Sequence, residues 1–138
     1  MKKIVVYVGV IVCLFFGLSA LQSNSVKIRN ETLTRTFLTK GIPIIDIRTE
    51  KEWQEMGTVP GSHLITFYKE DKSFDEAVFL KQLQTIVSKD DIFAILCRSG
   101  NRSNRVSRFL SSKGFTHVIN LAGGIKLGKK NGVILIHG

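Results

Sequence analysis

The apolar run Ile92 to Leu96 gives way at once to Cys97-Arg98-Ser99-Gly100-Asn101-Arg102-Ser103, and this junction constrains the fold more than any other stretch. Five consecutive apolar residues read as a strand covered on both faces, because a sheet with one wet face would show alternation. Beyond the loop, Val106, Phe109 and Leu110 fall at i, i+3 and i+4, the stripe of a helix over Asn104 to Lys113, with Ser103 at its N-cap. The order strand, loop, helix recurs. Pro43 to Ile47 precedes a helix over Glu50 to Met56, capped by Thr49 and stopped by Gly57. His63 to Phe67 precedes a helix over Phe74 to Ser88 that carries Ala77, Leu80, Leu83 and Val87 inward. Asn30 stands where a helix over Glu31 to Lys40 would take its cap, with Leu33, Phe37 and Leu38 inward and Gly41 as its stop. His117 to Leu121 makes another strand, Ala122-Gly123-Gly124 a tight turn, and Val133 to Ile136 a last apolar piece.

This alternation predicts an α/β fold of three layers, a mainly parallel central sheet with helices on both faces. In an open parallel sheet ligands bind outside the carboxyl ends of the strands. The ends after Ile47, Leu96 and Leu121 then share one rim, which makes Asp46 and Arg48, the Cys97 loop and Gly123-Gly124 neighbours.

A cysteine in such a domain is most often a small buried hydrophobe. The flanks of Cys97 argue otherwise, since Arg-Ser-Gly-Asn-Arg cannot be a core segment and puts the thiol at an exposed strand end. A helix N-terminus and three arginines, Arg98, Arg102 and Arg105, surround it with positive potential, which favours the nucleophilic thiolate. His63, His117 and His137 show no zinc-ligand spacing with it, and Gly123-Gly124 lacks the third glycine and following helix of a phosphate fingerprint. No metal or cofactor is expected.

The N-terminus reads differently from the rest. Lys2 and Lys3, an apolar run from Ile4 to Leu18, then Ser19-Ala20 make a secretory signal peptide over residues 1–20, or else an uncleaved membrane anchor. A short tether over 21–29 and a single domain over 30–136 follow. Cys13 lacks the small residue that should precede a lipidated cysteine. Cleavage would lower the formal charge from +9 to +7 by removing Lys2 and Lys3, and would leave Cys97 as the only thiol. The expected location is outside the inner membrane, periplasmic or anchored to that membrane's outer face. The basic surplus suits a small anionic substrate. Export and the lack of an aromatic-interleaved basic stripe argue against nucleic acid, and contact with membrane is expected only through the leader.

Together these motifs resemble a single-domain rhodanese, a thiosulfate-type sulfurtransferase. Asp46-Ile47-Arg48 matches the family's Asp-x-Arg strand end. Glu52-Trp53, Gly57 and Val59-Pro60-Gly61-Ser62 match its second signature, Cys97 to Ser103 its active loop, and Leu121-Ala122-Gly123-Gly124-Ile125 its L-x-G-G-I turn. Thr58 replaces a usual histidine and Gly128 a common tryptophan. The resemblance implies a rhodanese-like fold and a persulfide carried on Cys97. Arg98, Ser99, Gly100, Asn101, Arg102 and Ser103 would bind the donor, such as thiosulfate, and a small thiol, cyanide or a protein would accept the sulfur. Asp46 and Arg48 would support the site, more by structure than by catalysis.

Two other functions compete. Cysteine phosphatases and arsenate reductases of related fold use C-x5-R, but only four residues separate Cys97 from Arg102, and position C-x5 is Ser103. That tighter loop suits one sulfur atom better than a tetrahedral oxyanion. The other alternative is a persulfide carrier that delivers sulfur to a protein partner.

Overall fold

The computed structural model describes residues 28–138, so the predicted leader and residues 21–27 of the tether lie outside the described residues. Five parallel strands form one sheet in the order β1-β5-β4-β2-β3. They are β1 (Arg29–Glu31), β2 (Ile44–Asp46), β3 (His63–Leu64), β4 (Ile92–Leu96) and β5 (His117–Leu121). The helices are α1 (Arg35–Thr39), α2 (Glu50–Met56), α3 (Glu76–Leu83), α4 (Asn101–Ser112) and α5 (Gly124–Lys130).

Period-two alternation sorts the strand residues between two cores. Ile45, Ile47, Phe93, Ile95, Cys97 and Val118 pack with Phe79 and Leu83 of α3 and Val106 and Leu110 of α4. Ile44, Ala94, Leu96, Ile119 and Leu121 face the other way, against Phe37 of α1 and Ile125 of α5. The sheet is therefore the middle of three layers. Cys97 continues the alternation of β4 onto the α4 face.

Several boundaries differ from those read in the sequence. Asn30 does not cap a helix; it lies in β1, paired with Asn120 of β5, because the β5 backbone offers the segment a ladder. The α1 cap is Thr34, whose Oγ1 accepts from the Phe37 amide at 2.9 Å. The α4 helix begins at Asn101, three residues early, so Ser103 lies within its first turn. Strand β3 ends at Leu64, although Ile65 and Phe67 still donate to the carbonyls of Asp46 and Ile47. Helix α3 stops at Leu83 with its buried face on Phe79 and Leu83, leaving Ala77 exposed. A helix, α5, does follow Gly123-Gly124.

The two departures from the family signatures have local explanations. At Gly128 a Cβ would stand 2.5 Å from a Leu33 methyl, so Leu33 occupies the space a side chain there would need. Thr58 pairs with Ile136 in an antiparallel bridge that ties down the C-terminal segment.

Candidate active site

Register puts the chemistry on one rim. Asp46 pairs with Leu96 and Ile95 with Asn120, so the ends of β2, β4 and β5 lie side by side. From Leu96 the chain turns through Cys97 to Gly100, which sits at φ 97° and opens α4. A Cβ on Gly100 would lie 2.7 Å from the Gly123 nitrogen, and one on Gly124 would lie 2.4 Å from the Cys97 carbonyl oxygen. Only glycine permits both the positive φ and this approach. The Cys97 loop and the turn after β5 are thus pressed backbone to backbone.

That contact orients the loop. The amides of Ile125 and Lys126, in the first turn of α5, donate to the carbonyls of Cys97 and Arg98 at 3.0 and 3.1 Å. With those amides already engaged, α5 is an anchor for the loop rather than a phosphate cradle. With the carbonyls held there, amides from the far end of the loop face the sulfur. Gly100 and Ser103 donate to Cys97 Sγ at 3.1 and 3.3 Å. Gly100 provides no side-chain cap for α4, and the sulfur accepts the Ser103 amide in its place.

The thiol is buried, not exposed as its polar flanks predict, at 1% accessibility. The reason is that Cys97 continues the inward alternation of β4, packing in the same core as Val106 of α4, with its sulfur turned to the Gly100 and Ser103 amides. Ser103 Oγ lies 3.3 Å from the sulfur, 3.1 Å from the Gly100 carbonyl and 2.6 Å from Asn120 Oδ1. Asn120 in turn donates from Nδ2 to Asn30 Oδ1 at 2.9 Å.

The arginines divide by role. Arg98 is exposed and lines a cleft of about 820 Å³ with Lys51, Lys69, Lys72, Arg102 and Arg105. Arg102 is committed to Glu52 of α2 through a two-pronged pair, Nη1 to Oε2 at 2.8 Å and Nη2 to Oε1 at 2.6 Å. Burial works against the Glu52 charge. The Arg102 hydrogen bonds, the Thr49 amide and the guanidinium charges of Arg102 and Arg48 outweigh it, holding the carboxyl down to about 2. The same partnership raises Arg102. Ser99 and Asn101 line a second, polar cleft with Asn30, Asn104, Arg108 and Asn120.

Asp46 and Arg48 are both fully buried and spend themselves on each other. Arg48 Nε reaches Asp46 Oδ1 at 3.0 Å and Nη2 reaches Oδ2 at 2.8 Å. Nη2 also donates to the Gly57 carbonyl at 2.8 Å, tying the end of β2 to the end of α2. Neither residue contacts the sulfur directly.

Sequence reading missed Glu52 and Asn120 as parts of the site. Glu52 had a signal, as the third residue of a Thr49 capping box that the structure contains. Asn120 had one too, a polar amide inside the apolar strand His117 to Leu121. Lys69 and Lys72 had none, since exposed lysines in a polar stretch carry no pattern.

The fold is a parallel α/β sheet with a hydrogen-bonded cysteine at its carboxyl rim. The family model for the rhodanese-like domain matches residues 30–131, and the chain belongs to that family of sulfurtransferase-type and related proteins. A rhodanese-like domain protein from Staphylococcus aureus shares the fold at a TM-score of 0.57 and 23% identity, over 79% of this chain and 99% of that one. A rhodanese-related protein from Thermoplasma volcanium does so at 0.59 and 22%, over 80% and 99%. Among curated proteins, the mitochondrial protein HIGH ARSENIC CONTENT 1 of Arabidopsis thaliana is 28% identical over 89 residues, 64% of this chain. The chain spans about half (53%) of that relative's length.

Proposed function

We propose that this protein is a sulfurtransferase that carries sulfane sulfur on Cys97, taken from thiosulfate or a related anionic donor and passed to a thiophilic acceptor. The observation that carries the reading is the pair of amides, Gly100 and Ser103, donating to Sγ. Fixed N–H donors aimed at a sulfur stabilise negative charge on it without reorganisation.

In the first step the Cys97 thiolate attacks the outer sulfur of thiosulfate. The new S–S bond makes a persulfide, the donor S–S bond breaks, and sulfite leaves with the bonding pair. In the second, cyanide, sulfite or a thiolate attacks the outer sulfur, and Cys97 departs as thiolate. Arg98, Arg105, Lys51, Lys69 and Lys72 around the cleft raise the local concentration of an anionic donor. Arg102 acts through Glu52 as a brace on the loop. No cofactor enters either step.

The relative named for arsenic content makes arsenate the natural control substrate. The loop favours sulfur, because Arg102 comes one residue too early for C-x5-R and both its forked nitrogens are taken by Glu52. We place the activity in the exported compartment on the strength of the leader-like residues 1–20; the N-terminal sequence of protein recovered from cell fractions tests that.

Mass spectrometry after incubation with thiosulfate tests the chemistry. The Cys97 peptide gains one sulfur, cyanide removes it, and Cys97→Ser abolishes the gain while the fold persists. Reduced, folded protein that takes up no sulfur, or that transfers it without Cys97, would overturn the proposal. A carrier would load equally well but turn over slowly with small acceptors.

A further inference from the structure

The Ser103 hydroxyl has one proton and three neighbours that compete for it. Its shortest contact is Asn120 Oδ1 at 2.6 Å, so the proton points there, and the oxygen's lone pairs face Cys97 Sγ at 3.3 Å. That arrangement accepts an S–H. It is wrong for an anionic sulfur, which needs a donor where a lone pair now sits. If Ser103 turned its proton to the sulfur alone, two acceptors would be left facing each other 2.6 Å apart.

An amide has a way out that a carboxylate lacks, because its two ends differ in polarity. Asn120 is buried at 4% accessibility and bonded at both ends, to Ser103 and to Asn30. Asn30 is exposed, on the edge strand β1, and together with Asn120 lines the polar cleft beside the loop. Turning both amides reverses every bond in the row: Asn30 donates to Asn120, Asn120 Nδ2 donates to Ser103 Oγ, and Ser103 donates to the sulfur.

We propose that the Asn30–Asn120 amide pair is a two-position switch that lets Ser103 accept from Cys97 when the sulfur is protonated and donate to it when the sulfur is anionic. On ionisation the S–H proton leaves to solvent; no other covalent bond is made or broken. Asn120 and Asn30 are positioning residues and act through Ser103. The inference rests on Cys97 being the reacting thiol of the proposed function. The charged groups around the loop are Arg98 and Arg105 at the cleft, Arg108 beside Asn30 and Asn120, Arg102 paired with Glu52 on the α2 side, and the buried Asp46–Arg48 pair at the end of β2. All of these stay unchanged in the variants below.

The test is the rate of alkylation of Cys97 by iodoacetamide in the full chain, read on the Cys97 peptide across a pH series. Asn120→Asp leaves only an acceptor, which pins the Ser103 proton away from the sulfur. Alkylation at neutral pH then slows roughly tenfold, the scale of one hydrogen bond to a charged group, and the profile moves to higher pH. Asn120→Ala releases Ser103 and does not slow the reaction. Asn30→Asp can only accept from Asn120, so it holds that amide in the resting position and slows alkylation from an exposed site that spares the fold, whereas Asn30→Ala does not. In a Ser103→Ala background the Asn120→Asp penalty shrinks, which separates the switch from the plain effect of added charge. Equal slowing by Asp and Ala at position 120, or an Asp penalty untouched by Ser103→Ala, would overturn the proposal. Alkylation needs no sulfur donor. A failure of thiosulfate loading with this pattern intact sinks the donor assignment alone, and the reverse result sinks only the switch.

Discussion

Two arginine–carboxylate pairs stand near the Cys97 loop, each forked, and they do opposite jobs. Arg48–Asp46 is wholly out of solvent, while the side chains of Arg102 and Glu52 keep 28% and 17% of their surface. The buried pair joins neighbours two residues apart and fastens β2 to the end of α2 through the Gly57 carbonyl. The half-buried pair spans 50 residues of sequence and fastens the first turn of α4 to the first turn of α2, at the edge of the cationic cleft. Equal chemistry yields a scaffold where water is excluded, and a brace at the rim of an open cationic cleft.

Breaking the buried pair has the largest expected effect. Arg48→Met strands the Asp46 carboxylate without a partner, and urea denaturation is expected to show a loss of about 3–5 kcal/mol. Sulfur loading per folded molecule stays as in the wild type. A loss of loading without a loss of stability would move Arg48 from scaffold to site.

The half-buried pair is weaker and leaves an acid signature. Glu52 sits at about 2 in the fold against an ordinary 4.5, so its contribution is fully present above pH 4.5 and is lost as pH falls through about 2. Its size is on the order of 2–3 kcal/mol. Denaturation of wild type and Glu52→Gln over a pH series is expected to show a constant gap from pH 7 down to about 5 that closes below it. A gap that ignores pH would mean that packing, not charge, holds the brace.

Next in size is Arg98, one of the two cleft arginines outside both pairs. Arg98→Ala leaves the unfolding midpoint in place and raises the KM for thiosulfate several-fold, an effect that fades as salt screens the cleft. If Arg102→Ala, with the brace removed, raised KM more than it lowered kcat, Arg102 would belong with Arg98 as an anion-receiving group. The smallest effect is expected at Lys72, the one described non-glycine residue with positive φ, at 66°. Lys72→Gly relieves that strain, and thermal denaturation is expected to show a gain of about 0.5–1 kcal/mol while the cleft loses one cation.

How much of this was legible depended on whether the signal was local. Strands β4 and β5 and the helix after Thr49 were readable to the residue, because apolar runs and a capping box are written in consecutive positions. The polar triplet Arg29-Asn30-Glu31 carries no period, and only the neighbouring β5 backbone makes it a strand. The first turn of α4 is polar throughout, so hydropathy registers the helix only from Val106 onward. The place of Cys97 at the end of β4 was legible, and its burial was not. Asn120 and Glu52 carried local signals, but their bonds to Ser103 and Arg102 were not legible, since each is brought in from another element by the fold.

The pressing of Gly100 and Gly124 against each other's loops says something about transplantation. A designer who copied Cys97 to Ser103 onto another strand–helix corner would obtain the right letters without the hand that shapes them. The carbonyls of Cys97 and Arg98 would find no α5 amides to turn them aside, and the amides aimed at sulfur would lose their direction. The smallest portable unit is therefore two crossings of the rim, β4 with its loop and β5 with its glycine turn.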